Sequence, residues 1–214
     1  MKDLNTLAIE SGIMPILLAQ EGCAERVVRA IERTEMPAVE ILQRSETALN
    51  VLKQAIKVKK NALIGAGTVC TLDHCKEMVD LGADFIVTPG YSAEIVDWCT
   101  KHDVPVVPGV SSPTEIMMAA NAGIKVAKFF PFYELGGDKF LKEVSGPFPD
   151  VKFLITGGLG DNDLHLLANH KIAAIGGTWM FQCDADLTVV SEDTIVDRMN
   201  YSLEISKHFR KGWE

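Results

Sequence analysis

The chain has 214 residues, of which 47% are hydrophobic and 23% are charged, and its formal net charge at pH 7 is −8. This acidic balance argues against a general nucleic-acid-binding protein, and the lack of any run of roughly 18 apolar residues argues against a membrane partner. Because α/β barrels commonly reach about 200–250 residues as one domain, residues 1–214 are expected to form a single domain.

The first residues and the cysteines indicate the compartment. The start, MKDLNTLAIESG, has acidic residues and no long apolar core, so it does not resemble a secretory signal. The cysteines are odd in number and scattered, which is typical of a reducing compartment. They are Cys23, Cys70, Cys75, Cys99 and Cys183. A cytoplasmic location is therefore expected.

Short apolar or β-branched runs recur along the chain and predict eight strands. In chain order they are Met14–Ala19, Ala38–Gln43, Ala62–Gly67, Phe85–Pro89, Pro105–Val110, Val126–Pro131, Lys152–Thr156 and Ala173–Gly177. Segments with helical periodicity lie between them, among them Glu46–Lys57, Leu72–Leu81, Ala93–Lys101, Pro113–Ala122 and Leu164–His170, and a last helix is predicted from about Thr194 to Lys207. This alternation, at a pitch of roughly 20–24 residues, predicts an α/β fold of the (β/α)8 TIM-barrel type.

The glycine-containing turns favour the barrel over an open, doubly wound sheet. The open sheet usually has about six strands and a Gly-rich turn after the first, whereas the first strand here ends in AQEG. GAG, TPG, VPGV, TGG and IGG all fall at the C-terminal ends of predicted strands. Since barrels place their active sites on that face, a ligand site is expected there.

Charged residues interrupt two of the predicted strands. In AVEILQR, Glu40, Leu42 and Arg44 share one face because side chains alternate along a strand. Arg44 lies about 13 Å beyond Glu40, at the rim. In VAKFFPF, Lys128 shares its face with Phe130. If both faces point inward, a carboxylate, an ammonium and a guanidinium converge near the open end of the barrel.

Three interpretations of Lys128 are open. A buried ion pair with Glu40 would only fill space, although such pairs stabilise weakly. A snorkelling lysine would carry its ammonium to water, although aromatic residues flank it. In the functional interpretation, desolvation destabilises the ammonium, so that the free amine attacks a carbonyl while the carboxylate moves protons. Without a metal site, this pair favours Schiff-base chemistry.

Two glycine turns predict a phosphate site. Thr156–Gly158, the sequence TGG, ends the seventh predicted strand, and Gly176–Thr178, the sequence GGT, ends the eighth. Barrels often bind phosphate at this place through loop amides and a helix N-terminus. Each motif alone is weak, but the two on adjacent strands together predict binding of a phosphorylated small molecule.

The segments AVEILQRSETA, IGAGTV, FIVTPG, VPGVSSPTE, AKFFP, GPFPDVKFLITGG and IGGTW resemble those of the 2-keto-3-deoxy-6-phosphogluconate (KDPG) and 4-hydroxy-2-oxoglutarate (KHG) aldolases. The resemblance extends over nearly the whole chain, in order and with matching spacing. It implies a class I aldolase, without a cofactor or metal, that cleaves KDPG to pyruvate and glyceraldehyde 3-phosphate. Family members are commonly trimers, so a homotrimer is expected.

The resemblance also implies a role for each matching residue. The Schiff-base lysine of the K-F-F-P motif falls on Lys128, and the proton-shuttling glutamate of E-x-x-x-R falls on Glu40. The residues that would bind substrate follow: Arg44 and Thr68 for the pyruvyl carboxylate, Pro89 and Phe130 for the pyruvyl pocket, and Gly157, Gly158, Gly177 and Thr178 for the phosphate.

Two departures from the family pattern put the substrate preference in question. Leu42 stands where the family usually has a small polar residue. Phe132 and Tyr133 follow K-F-F-P where small residues are usual. If these aromatic residues line the pocket mouth, they add bulk where the sugar portion must lie; alternatively, they point outward and only pack. KHG cleavage is an alternative activity.

Other sites and functions are less well supported. Cys70, His74 and Cys75 lack zinc-site spacing, and residues 161–163 lack the continuation of a calcium loop and are expected to cap a helix. A sugar-phosphate epimerase or decarboxylase would need paired aspartates or metal ligands. A non-catalytic sugar-phosphate sensor would have no use for a desolvated lysine facing a glutamate.

Overall fold

The computed structural model describes residues 11–182 and 188–211. The strands are β1 Ile13–Leu18, β2 Ala38–Leu42, β3 Leu63–Gly67, β4 Phe85–Val87, β5 Val106–Val107, β6 Gly109–Val110, β7 Val126–Phe129, β8 Lys152–Thr156 and β9 Ile172–Gly177. The helices are α1 Ala24–Glu32, α2 Ala48–Val58, α3 Leu72–Asp80, α4 Ala93–Lys101, α5 Pro113–Asn121, α6 Gly137–Ser145 and α7 Glu192–Phe209, with a 3₁₀ helix at Asp161–Ala168.

The strands form a parallel barrel. Their order in the sheet is β5-β4-β3-β2-β1-β9-β8-β7-β6, and every pair of neighbours is parallel. Only Pro108 separates β5 from β6, so these two short strands fill one position and bring the edges of the sheet together. The nine strands therefore occupy eight positions, and the predicted (β/α)8 barrel is confirmed.

The fifth strand position differs from its prediction. Pro105–Val110 was expected to be one continuous strand, and this is wrong because Pro108 has no N–H to contribute to a ladder. The Pro108 carbonyl still accepts the N–H of Lys128 at 2.8 Å. β5 pairs with β4 and β6 pairs with β7, so the barrel is held on both sides of the interruption.

Other predicted boundaries also shift. The strands expected to reach Pro89 and Pro131 end at Val87 and Phe129, because the chain turns at both Thr-Pro and Phe-Pro sequences. The helix predicted from Leu164 to His170 is a 3₁₀ helix that starts three residues earlier. These changes lie at the C-terminal ends of strands, where the loops form the open end of the barrel.

Alternation along the strands divides the core into two layers. Inside the barrel, Met14, Ile16, Leu42, Phe85 and Leu154 form one buried apolar cluster. A larger cluster fills the space between the outer faces of the strands and the helices. The interior has little spare volume: a Cβ at Gly65 would lie 2.1 Å from the ring of Phe85. The space left at the open end is therefore the space around the charged residues.

Two further findings concern the helices and the cysteines. Among the described residues, no helix is long and apolar enough to cross a membrane. Cys23, Cys75 and Cys99 are buried, Cys70 is exposed, and all four are free thiols. Cys183 and the first ten residues, on which part of the compartment prediction rests, lie outside the described residues.

Candidate active site

Lys128 and Glu40 meet across the interior of the barrel. Glu40 lies in the middle of β2 and Lys128 in β7, four positions apart in the sheet. Lys128 Nζ donates to Glu40 Oε1 at 3.2 Å, and the two side chains are 4% and 0% exposed. Snorkelling is thus excluded for Lys128, since its ammonium points inward. Nζ also lies 5.7 Å from the centroid of the Phe130 ring.

This ion pair is incompletely satisfied. Oε2 of Glu40 is buried and has no hydrogen-bond partner among the described residues. A buried carboxylate oxygen without a partner is unfavourable in free energy, so a purely structural pair would be expected to carry more donors. The arrangement leaves one acceptor facing the interior beside an amine, which is a site that can exchange protons with a bound molecule.

Gly67 makes room for the carboxylate. It is the last residue of β3, the strand beside β2. A Cβ at this position would lie 2.1 Å from Glu40 Oε1 and 2.6 Å from its Cγ, so no other residue fits without moving Glu40. The sequence motif GAGT indicates a turn and a carboxylate-binding threonine, but it does not reveal that Gly67 makes room for Glu40.

Arg44 and Thr68 form the rim of the site. Arg44 Nε donates to Thr68 Oγ1 at 2.8 Å, between the loops that follow β2 and β3. Thr68 has φ of 63°, a left-handed conformation that is rare for a β-branched residue and costs on the order of 1–3 kcal/mol. Strain of this kind is found at binding sites, and here it accompanies the contact between the two side chains that were predicted to hold a carboxylate.

Pro89 lies in a tightly packed turn on another side of the site. The buried Thr88 hydroxyl accepts the N–H of Gly109 at 3.1 Å and donates to the carbonyl of Gly90 at 2.7 Å. A Cβ at Gly109 would lie 2.3 Å from the Pro89 carbonyl carbon, so these two backbones touch. Thr88 fixes the turn that carries Pro89, a role that the sequence alone did not reveal.

The two glycine turns lie side by side, because Thr156 of β8 pairs with Gly176 of β9. Gly157 and Gly158 have φ of +110° and +67°, conformations that favour glycine. Gly177 is buried, and Thr178 is half-buried. The Thr156 hydroxyl is buried without a hydrogen-bond partner in the described part of the chain. The structure thus brings the predicted phosphate-site residues together next to a second unpaired polar atom.

The residues that depart from the family pattern lie on different faces of the barrel. Leu42 is buried on the inner face, as its place beside Glu40 predicted. Phe132 is buried in the outer cluster, with its ring 6.1 Å from that of Phe129 and close to Gly137. The suggestion that Phe132 lines the pocket mouth is therefore wrong, because its side chain points to the helix layer. Tyr133 is 51% exposed.

The residues of the two motifs that could suggest a metal have other contacts. Within residues 11–182 and 188–211, no group of three or more His, Cys, Asp or Glu side chains could hold a metal ion. Cys70 Sγ lies 3.4 Å from the carbonyl of Thr68, and Cys75 lies 3.6 Å from Cys99 on the neighbouring helix. Asp163 accepts the N–H of Gly160 at 2.8 Å, which is the expected capping role.

Comparisons with known proteins show the family. Residues 5–194 match the family model described as KDPG and KHG aldolase. The 2-dehydro-3-deoxy-phosphogluconate aldolase of Pseudomonas aeruginosa is 35% identical over 179 residues, which cover 83% of this chain and 81% of that protein.

Two solved structures extend the comparison. The KDPG aldolase of Zymomonas mobilis with 3-phosphoglycerate has a TM-score of 0.87 and 25% identity, with 96% of this chain and 97% of that one covered. The KDPG aldolase of Legionella pneumophila, with pyruvate captured as a covalent carbinolamine, has a TM-score of 0.79 and 30% identity, with 97% of both chains covered. With its family model matched over most of its length, this chain belongs to the KDPG and KHG aldolase family.

Proposed function

We propose that this protein is a class I aldolase. It cleaves 2-keto-3-deoxy-6-phosphogluconate, or a close 2-keto-3-deoxy sugar acid phosphate, to pyruvate and glyceraldehyde 3-phosphate through a Schiff base on Lys128. The observation that carries the proposal is the buried contact of 3.2 Å between Lys128 Nζ and Glu40, whose second oxygen is unpaired. A pair kept only for stability would be better satisfied or replaced by apolar residues.

The pair can supply both the nucleophile and the proton transfers. Proton transfer from Nζ to Glu40 gives a neutral amine, which attacks the C2 carbonyl of the substrate. The carbinolamine loses its hydroxyl as water, with Glu40 returning the proton, and an iminium forms. The carbinolamine of pyruvate captured in the Legionella pneumophila enzyme supports this first step by family membership.

Cleavage follows from the electron demand of the iminium. The C3–C4 bond breaks, its electrons move toward the iminium nitrogen, and the C4 hydroxyl gives its proton to Glu40. The aldehyde leaves and an enamine remains. Glu40 then protonates C3 of the enamine, and hydrolysis of the resulting imine releases pyruvate and regenerates the amine.

Substrate binding uses both sides of this centre. Arg44 and Thr68 would hold the carboxylate next to C2, since guanidinium and hydroxyl donors suit a carboxylate and already lie 2.8 Å apart. Pro89 and Phe130 would form the apolar walls of the pyruvyl pocket. The unpaired Thr156 hydroxyl would contact a substrate oxygen between the reacting carbon and the far end.

The phosphate would bind at the glycine turns. Their residues are Gly157 and Gly158 after β8, Gly176 and Gly177 at the end of β9, and Thr178. Backbone N–H groups in such turns bind phosphate without a formal positive charge. The 3-phosphoglycerate present with the Zymomonas mobilis relative supports a phosphate-binding family, and backbone N–H groups of the glycine turns are suited to such a ligand.

Trapping with borohydride tests the imine. Sodium borohydride added with pyruvate is expected to inactivate the enzyme and to add a reduced pyruvyl group to one lysine, at position 128 by peptide mass mapping. Borohydride without pyruvate is the control and should leave activity unchanged. A label on another lysine, or full activity after treatment, would contradict the proposal.

A cleavage screen tests the substrate. Pyruvate release would be compared for KDPG, its unphosphorylated analogue, the C4 epimer and 4-hydroxy-2-oxoglutarate. Thr178→Val is expected to raise KM for KDPG more than for the unphosphorylated aldol. Gly177 is a poor substitution site, because a Cβ there would lie 2.4 Å from the Trp179 ring. Fastest cleavage of 4-hydroxy-2-oxoglutarate would favour the KHG activity instead.

Two further properties are proposed from family and composition. A homotrimer is expected because family members commonly form one, and light scattering on the purified protein tests it. A cytoplasmic location is expected from the cysteine pattern; the four described cysteines are free.

A further inference from the structure

A hydrogen-bonded bridge joins the turn after β7 to the turn after β8. The Tyr133 hydroxyl donates to Oδ1 of Asp163, and Oδ2 of the same carboxylate accepts the N–H of Gly160 at 2.8 Å. One carboxylate therefore links a residue that departs from the family pattern to the segment that follows the first glycine turn.

The Tyr133 end of this bridge is firmly anchored. The ring of the preceding residue, Phe132, is fully buried, and its N–H donates to the carbonyl of Thr156 at 3.0 Å. The Phe132 carbonyl accepts the N–H of Gly137 at 2.9 Å, and the Tyr133 carbonyl accepts the N–H of Gly136 at 3.1 Å. The backbone at Tyr133 is thus fixed by contacts on both sides, although the phenol ring is half-exposed.

The other end holds a segment that glycine makes easy to deform. Gly157 and Gly158 both have positive φ, and a Cβ at Gly158 would meet no atom within 4 Å. On the upstream side, the turn lies against Pro131, whose Cα is 3.1 Å from an ideal Cβ at Gly157. On the downstream side, the Asp163 carboxylate holds Gly160. Loss of that contact would leave Gly160 held by one hydrogen bond, which its carbonyl accepts from the N–H of Asp163 at 3.1 Å.

The chemistry of the bridge keeps it intact near neutral pH. The hydrogen bond to Asp163, with a smaller effect of burial, raises the pKa of Tyr133 to about 12. The phenol therefore stays protonated and keeps donating.

We propose that Tyr133 and Asp163 are positioning residues that hold the turn at 157–160 in its phosphate-binding shape and so set the preference for phosphorylated over unphosphorylated 2-keto-3-deoxy acids. This inference rests on the proposed function, since it assigns the phosphate to that turn. Neither residue touches the reacting carbons, so their effect is confined to the far end of the substrate.

Steady-state kinetics on KDPG and on its unphosphorylated analogue test the inference. Tyr133→Phe is expected to raise KM for KDPG about three- to tenfold, the scale of one lost hydrogen bond, with kcat and the constants for the unphosphorylated aldol within twofold of wild type. Tyr201→Phe, at another half-exposed tyrosine, is the matched control and should leave the kinetic constants for both substrates unchanged.

Coupling between the two side chains separates positioning from general stability. Asp163→Ala removes the two hydrogen bonds that the carboxylate accepts and should raise KM for KDPG at least as much as Tyr133→Phe. Adding Tyr133→Phe to Asp163→Ala should then change KM no further, while Asp163→Asn, which keeps an acceptor oxygen, should restore part of the preference. Equal losses for both aldols, or an unchanged ratio in Tyr133→Phe, would overturn the inference.

Inorganic phosphate gives a readout independent of the imine. Calorimetric titration of phosphate into wild type and Tyr133→Phe should show three- to tenfold weaker binding to the variant. If phosphate binding differs in this way while borohydride traps no lysine, the positioning role stands and the aldolase proposal falls. If lysine is trapped and phosphate binds both proteins equally, the positioning role falls alone.

Discussion

Two glutamates show how differently the same side chain is used: one lies at the closed end of the barrel, where the strands begin, and the other lies inside the barrel below its open end. Glu32, at the end of α1, is partly exposed, and its Oε1 accepts N–H groups from Lys60 and Asn61 at 2.8 Å and from Ala62 at 3.1 Å. Glu40, inside β2, is fully buried and has one lysine and one unpaired oxygen.

The difference indicates what each carboxylate is for. Glu32 joins the end of one helix to the loop that enters β3, and its hydrogen bonds are satisfied within the fold. Next to it, Asp84 accepts the N–H of Ile64 at 2.7 Å and pairs with Lys59. Glu40 has one partner for its two oxygens and is fully buried. The hydrogen-bonded carboxylates at the closed end therefore stabilise the fold, whereas the incompletely paired Glu40 is suited to catalysis.

The largest expected effect is the loss of the nucleophile. Lys128→Met should lower kcat on the order of 10⁶-fold, the scale of removing a covalent nucleophile from an enzyme, and should abolish labelling by borohydride with pyruvate. Lys152→Met, at the far end of β8, is the control and should retain activity. Substantial turnover by Lys128→Met would contradict the chemical role of the open end.

The next effect concerns proton transfer. Glu40→Gln should lower kcat by roughly 10²- to 10⁴-fold, because a positioned acid–base group contributes about that much. The amide keeps the size of the side chain, so the barrel should stay folded by circular dichroism. A Glu32→Gln variant should keep kcat unchanged, and a kcat loss there would erase the distinction between the two ends.

Gly67→Ala tests whether the position of the Glu40 carboxylate matters, because the variant keeps the carboxylate but displaces it. The new Cβ would lie 2.1 Å from Glu40 Oε1, so we expect Glu40 to move and kcat to fall by roughly 10²-fold or more. Gly65→Ala, on the same strand and face, is the control, since its Cβ would meet the Phe85 ring instead. That variant should lose stability but keep kcat per folded molecule.

The contribution of the Lys128–Glu40 pair to stability can be tested by removing one charge or both. Lys128→Met leaves Glu40 buried without its cation and should lower the free energy of unfolding by about 3–5 kcal/mol at neutral pH. The double variant Lys128→Met/Glu40→Leu removes both charges and should recover that loss or exceed wild type, while staying inactive. Denaturant unfolding measures both. A double variant no more stable than the single one would indicate a structural role for the pair.

The smallest effect lies at the closed end and depends on pH. Partial burial acts to raise the pKa of Glu32, but hydrogen bonds from the N–H groups of Ala62, Asn61 and Lys60 outweigh it and hold the pKa below its ordinary value. A carboxyl group whose pKa is lower in the folded than in the unfolded protein stabilises the fold at a pH above its unfolded pKa of about 4.3. That contribution is lost as the pH falls through the pKa of the folded state.

Glu32→Gln should therefore cost about 1 kcal/mol of unfolding free energy at pH 7, a modest amount because the site is partly open to water. The difference from wild type should shrink as the pH drops below 4. Denaturant unfolding at several pH values measures this, and a difference independent of pH would contradict the assigned role of the charge.

The sequence by itself determined the barrel and most of the members of the candidate site. Alternating apolar runs and helical segments fixed the order of the elements, and parity within β2 placed Glu40 and Leu42 on one face. These features depend on local spacing along the chain, and spacing is visible in a sequence. The same is true of the glycine turns after β8 and β9.

Tertiary structure decided what depends on contacts between distant residues. The distance of 3.2 Å from Lys128 to Glu40 and the space that Gly67 leaves for the carboxylate depend on how strands far apart in sequence meet. The outward direction of Phe132 and the bridge from Tyr133 to Asp163 depend on where the chain turns after β7. A sequence specifies which side chains are available, but burial and pairing are set by neighbours that only the closed barrel brings together.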